Sequence, residues 1–197
     1  MESPLRGLQR PGGPCISWLE HSRSGGTRQQ GRRGKMSEAT LEEIVGQLLV
    51  EQKLTLGVAE SCTGGLITHR LTNVPGSSNY LLGGVVAYAY DVKERVLNVR
   101  HDTLYEHGAV SRETALEMAR GARWLLGSDV AIAVTGIAGP GGGTPEKPVG
   151  LVYVALSARD FERCEQYVWS GNRLQNKQQS SQAALEMLCE YLEGRAR

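Results

Sequence analysis

The amino-acid sequence predicts an α/β protein, a three-layer α/β/α sandwich around a mixed, largely parallel sheet. Three observations carry that prediction. From residue 40 onward, segments with apolar residues every three or four positions alternate with short β-prone runs. One of these runs, Val130-Ala131-Ile132-Ala133-Val134, is apolar throughout, as a strand covered on both faces must be. The last two β-prone runs have no helical segment between them, which marks an antiparallel hairpin appended to strands that otherwise cross over through helices.

Each element has its own signal. Thr40 and Glu43 form a capping box ahead of the periodic run Leu41, Ile44, Val45, Leu48 and Leu49, the first helix. Thr55 to Glu60 is a strand, Ser61-Cys62-Thr63-Gly64-Gly65 a tight turn, and Leu66, Ile67 and Leu71 the apolar face of a second helix. Pro75-Gly76-Ser77-Ser78 reads as a loop before a strand at Val85-Val86-Ala87, and Val92, Val96 and Leu97 belong to the next helix. Ser111 caps a helix through Ala115, Leu116, Met118, Ala119 and Leu125. The strand Val130 to Val134 gives way to Thr135 to Pro148, too rich in Gly and Pro for regular structure. Val149 to Leu156 pairs with Cys164 to Trp169, and Leu174 to Leu192 closes the chain as a long polar helix.

A formal net charge of +1 over 197 residues conceals a division. Residues 1–35 hold seven basic and two acidic side chains, a local +5 that leaves −4 for the remainder. Glycine-rich and without apolar periodicity, this stretch cannot bury enough surface to offset its ordering entropy and is expected to be a disordered basic extension. Arg-rich and acid-poor, it loosely resembles an organelle-targeting peptide, while Met36 offers an alternative start. The domain proper is expected over 36–197. No apolar run approaches the roughly 20 residues of a membrane span, and the balanced charge provides no basic field for wrapping nucleic acid. Four cysteines without a CxxC pair fit a reducing, cytoplasmic setting, and four histidines without zinc spacing predict no metal site.

Ligands of open α/β sheets sit beyond the carboxyl ends of strands, and three such ends here carry unusual residues: Ser61 to Gly65, Tyr88 to Lys93, and Thr135-Gly136-Ile137-Ala138-Gly139-Pro140. Two readings stay open on spacing alone. Ser61 can be a nucleophile with a desolvated Lys93 as its base and Tyr88 relaying a proton. Equally, Ser61 can be a helix cap, Lys93 a solvated side chain and Tyr88 a core aromatic.

The blocks Ala59-Glu60-Ser61-Cys62-Thr63-Gly64-Gly65, Pro75-Gly76-Ser77-Ser78, Tyr88 followed by Lys93, His107-Gly108-Ala109-Val110-Ser111, Thr135 to Pro140 and Lys147-Pro148-Val149-Gly150 together resemble the CinA C-terminal domain family over residues 40–194. The resemblance implies the same α/β/α sandwich and a cofactor-independent nicotinamide-nucleotide amidase that converts nicotinamide mononucleotide to nicotinic acid mononucleotide and ammonia. It implies Ser61 as nucleophile, assisted by Lys93 and Tyr88. Backbone N–H groups around Cys62, Thr63, Gly64, Gly65 or Gly136 are the expected oxyanion site, with Thr135 beside them. Arg173, Lys177 and the loop from Gly139 to Gly143 are the expected phosphate cradle. The chain departs from the family at Tyr90, where Asn is frequent, and at Gly171-Asn172-Arg173, where an acidic residue is frequent. Many relatives carry a further N-terminal molybdopterin-like domain, which this sequence is expected to lack. A pyridine nucleotide is the expected small-molecule partner and a homodimer the expected assembly. The rival reading is a non-catalytic nucleotide-binding or interaction module associated with competence and DNA damage.

Overall fold

A computed structural model describes residues 39–195; the extension expected over 1–35 lies outside the described residues. Six helices and five strands follow in the order α1 (Leu41–Gln52), β1 (Leu56–Glu60), α2 (Leu66–Thr72), β2 (Leu81–Val86), α3 (Tyr90–Leu97), α4 (His101–Glu106), α5 (Arg112–Leu126), β3 (Val130–Gly136), β4 (Leu151–Ser157), β5 (Glu162–Val168) and α6 (Arg173–Leu192). The sheet order is β2-β1-β3-β4-β5. β1 pairs in parallel with both β2 and β3, whereas β4 pairs antiparallel with β3 and β5, so β4 alone runs against the other four strands. The sheet is mixed, as expected.

Helices α1, α2 and α6 cover one face of the sheet, and α5, with α3 and α4 packed on it, covers the other. β1 is buried at every position and β3 at all but its last, which is why both lack apolar–polar alternation. α5 packs on β1, β3 and β4 through Met118 and the small side chains of Ala115, Ala119 and Ala122, which let the helix lie close to the sheet. Gly121 sets the approach of α3: a Cβ there would stand 1.8 Å from the carbonyl oxygen of Leu97. That contact fixes the helix that carries Lys93.

The structure corrects several boundaries. β2 starts at Leu81, not Val85, because pairing with β1 (Leu56↔Leu81, Gly57↔Gly83) supplies the order that Gly83 and Gly84 lack on their own. Pro148-Val149-Gly150 belongs to a turn, so β4 begins at Leu151. Helix α4, which the sequence reading passed over, has no side-chain cap; Glu117 of α5 holds its start by accepting from the Arg100 amide at 2.8 Å and the Thr103 hydroxyl at 2.8 Å. No described helix is long and apolar enough to cross a membrane.

Candidate active site

The site forms where β1 ends. The Ser61 amide continues the ladder by donating to the Val134 carbonyl at 2.9 Å, after which the chain leaves the sheet. What bends it is Glu60, a buried carboxylate that accepts from the amides of Gly65 (2.9 Å), Ile67 (3.1 Å) and Thr68 (2.9 Å) and from the Thr68 hydroxyl (2.8 Å). These are the orphan donors at the start of α2, so the strand residue caps the helix that follows it. Gly65, at φ 93°, supplies the left-handed turn between them. Ser61 is thereby held at the crest of the turn, 8% exposed.

Lys93 reaches the serine from the opposite layer. It is 1% exposed on α3, with Nζ 3.0 Å from Ser61 Oγ, 2.7 Å from the Ala87 carbonyl and 3.4 Å from the Tyr88 carbonyl. Burial lowers its pKa from 10.5 to about 8, opposed by the neighbouring Cys62 thiol, which burial itself pushes up to about 12. A neutral amine has two N–H donors and one lone pair. With the two carbonyls taking the donors, the lone pair faces Ser61, and the serine hydroxyl becomes the donor.

The cleft above this pair encloses about 250 Å³ and is lined by Ser61, Cys62, Lys93, Tyr88, Ala109, Val110, Thr135 to Gly139, Gly141, Gly142 and Arg173. Tyr88 is 60% exposed, a rim residue and not the core aromatic of the alternative reading. Its hydroxyl oxygen accepts from Arg173 Nη2 at 3.0 Å, and Arg173 Nη1 donates to the Gly139 carbonyl at 2.8 Å. Asn176, buried one turn along α6, holds the same wall by donating to the Ala138 carbonyl at 3.0 Å. On the facing wall, the Thr135 hydroxyl donates to the Ala109 carbonyl at 2.6 Å, and the Ala109 amide donates to Tyr90 Oη at 3.2 Å.

Of the residues singled out from the sequence, Ser61, Lys93, Tyr88, Cys62, Thr135, Gly136, Gly139 and Arg173 converge on one cleft. Four do not line it. Thr63 is fully buried beneath the turn, and the amides of Gly64 and Gly65 are already given to the Ser61 carbonyl (3.1 Å) and to Glu60. Lys177 sits on the α6 side of the turn, its Nζ 3.6 Å from where a Cβ on Gly64 would stand. Gly136 has a specific geometry: Val134, two residues before it, faces β1, so the Gly136 amide points to the side of β3 that β1 has vacated. Sequence reasoning missed Glu60, Asn176 and Tyr90 as supports of the site. A carboxylate ending an otherwise apolar strand, and an Asn inside a helix, were the available signals.

The model of the CinA C-terminal domain family matches residues 38–192, and the chain belongs to that family. It is 46% identical over 162 residues to the CinA-like protein of Thermotoga maritima and 53% identical over 157 residues to that of Chlorobaculum tepidum. These alignments cover 82% and 77% of this chain but 40% and 37% of the relatives. Thus the chain spans well under half the length of those proteins. Its fold is similar to the crystal structure of the competence/damage inducible protein CihA from Agrobacterium tumefaciens (TM-score 0.73, 42% identity, 78% of this chain and 95% of that one). A CinA superfamily protein from Klebsiella pneumoniae gives a TM-score of 0.76 at 34% identity, over 78% and 96% of the two chains.

Proposed function

We propose that the protein hydrolyses the carboxamide of nicotinamide mononucleotide, yielding nicotinic acid mononucleotide and ammonia. The observation that carries this reading is the Ser61–Lys93 pair, 3.0 Å apart on the floor of a cleft and free of any carboxylate that would hold the lysine charged. Ser61 Oγ attacks the carboxamide carbon while its proton passes to neutral Lys93 Nζ. The tetrahedral oxyanion is met by the amides of Cys62 and Gly136, since those of Gly64 and Gly65 are engaged. As the C–N bond breaks, the proton taken up by Lys93 passes by way of the Tyr88 hydroxyl to the departing nitrogen, so that ammonia leaves and Lys93 is neutral again. Water then attacks the acyl-serine, giving a proton to neutral Lys93, which returns it to Ser61 Oγ as the acid departs. The nucleotide phosphate faces the mouth, where Arg173 is the cation of the cleft wall besides Lys93.

The test is ammonia release from a panel of pyridine nucleotides and free nicotinamide, alongside calorimetric titration of the same compounds. Turnover confined to the carboxamide nucleotides supports the assignment. Tight nucleotide binding without any ammonia release overturns it in favour of a non-catalytic binding module.

A further inference from the structure

Arg173 spends its guanidinium in an unusual way for a cation at the rim of a cleft. One nitrogen donates to the Gly139 carbonyl at 2.8 Å and another to the Tyr88 hydroxyl oxygen at 3.0 Å, so the side chain straps the loop after β3 to the segment leading into α3. Neither acceptor is a carboxylate; the two bonds position groups without neutralising the charge. The Gly139 end is itself fixed, because Asn176, one turn further along α6, ties down the adjoining Ala138 carbonyl at 3.0 Å. The Tyr88 end is otherwise loose. Its ring is 60% exposed, and Arg173 is the hydrogen-bond partner of its hydroxyl among the described residues.

From this geometry we infer that Arg173 is a positioning residue that acts through Tyr88, orienting the phenol over the Ser61–Lys93 pair. The inference rests on the function proposed above and adds to it a division of labour within one side chain. By accepting from Arg173, the phenolic oxygen commits a lone pair outward along the rim, which leaves its O–H to be donated within the cleft that Tyr88 lines. A planar guanidinium can span two acceptors at once. An ammonium cannot do so in this fixed geometry, although it holds a phosphate as a point charge.

That difference separates the two roles. Arg173→Lys keeps the cation and loses the strap, so KM for nicotinamide mononucleotide is expected to stay within about threefold of wild type while kcat falls about 10- to 100-fold, the cost of a misplaced proton-transfer group. Arg173→Met is expected to lose kcat to the same extent and to raise KM as well. In a Tyr88→Phe background neither substitution is expected to lower kcat by more than about twofold further, because the group they position is already gone. Losses of kcat that multiply across the two sites, or an Arg173→Lys protein with wild-type kcat, overturn the inference. A readout independent of turnover covers the case in which no nucleotide is hydrolysed and the proposed function itself fails. With 3-fluorotyrosine placed at position 88 of the full chain, the fluorine resonance is expected to move to the solvent-exposed position in both Arg173 variants. A resonance unchanged by Arg173→Met shows that no strap exists.

Discussion

Glu60 and Lys93 are charged residues buried at the same strand end, Glu60 as the last residue of β1 and Lys93 reaching it from α3. Glu60 turns toward α2 and receives four donors, three backbone amides and a hydroxyl, at 2.8 to 3.1 Å. Lys93 comes from α3 and finds two carbonyls and one serine, with no carboxylate to balance it. The first charge is compensated on every side and builds the turn. The second is desolvated without a counter-charge, and the proton is what gives way. Two buried charges a few residues apart in space therefore divide structure from chemistry.

The largest expected effect falls on the group between them. Ser61→Ala is expected to lower ammonia release by more than about a thousandfold, as loss of a nucleophile does, while circular dichroism and nucleotide titration remain near wild type. Retention of a tenth of the activity would reduce Ser61 to a cap and erase the contrast.

Lys93 comes next. Lys93→Arg keeps a charge that cannot be given up in a protein, and Lys93→Met removes it; both are expected to lose about 10²- to 10⁴-fold in turnover. Their stabilities are expected to diverge, because methionine relieves the desolvated amine and arginine does not. Thermal unfolding is expected to rank Lys93→Met above wild type and Lys93→Arg below it. An active arginine variant rules out the lysine as general base.

For Glu60→Gln the sign reverses. An amide places N–H groups against the donors that start α2, at a cost of about 2–3 kcal/mol, read as a lower midpoint in urea. Since Glu60 is engaged by the donors at the start of α2 and has no hydrogen bond to Ser61 or Lys93, the surviving activity is expected to keep its dependence on pH. A displaced pH profile would couple Glu60 electrostatically to Lys93 and undo the separation.

The smallest effect is the pH dependence itself. With the Lys93 pKa at about 8, its amine is neutral in about a tenth of molecules at pH 7, so kcat/KM is expected to rise about tenfold from pH 7 to a plateau above 9. The stability term has a definite sign. The folded value lies below the ordinary 10.5, so folding disfavours that proton; the cost, on the order of 3 kcal/mol, is full below pH 8 and fades as pH rises from about 8 to 10.5. Urea midpoints for wild type and Lys93→Met should therefore converge across that interval. A constant gap would mean that the lysine is not desolvated.

The layer order and the strand-turn-helix around Ser61 were legible because local signals agree there: the capping box at Thr40 and Glu43, the continuous apolar run of β3, and the glycine pair Gly64-Gly65 three residues after the serine. Where local signals conflict, pairing decided. Leu81 to Gly84 is poor strand sequence and becomes β2 only by alignment with β1, and α4 owes its start to Glu117 on a different helix. The same limit applied to the site.

By itself the sequence determined that a serine follows a strand at a glycine turn, and that a lysine and a tyrosine follow another strand end, since such features depend on neighbours in the chain. It could not determine that Lys93 Nζ reaches Ser61 Oγ, that Arg173 crosses 85 positions of sequence to hold Tyr88, or that Glu60 consumes the amides of the turn. Those facts depend on desolvation and on distances between layers, and the close contact of Gly121 with Leu97 is the kind of packing that sets them. A lysine acquires a pKa near 8 only when other elements have removed its water, which no local pattern of residues records.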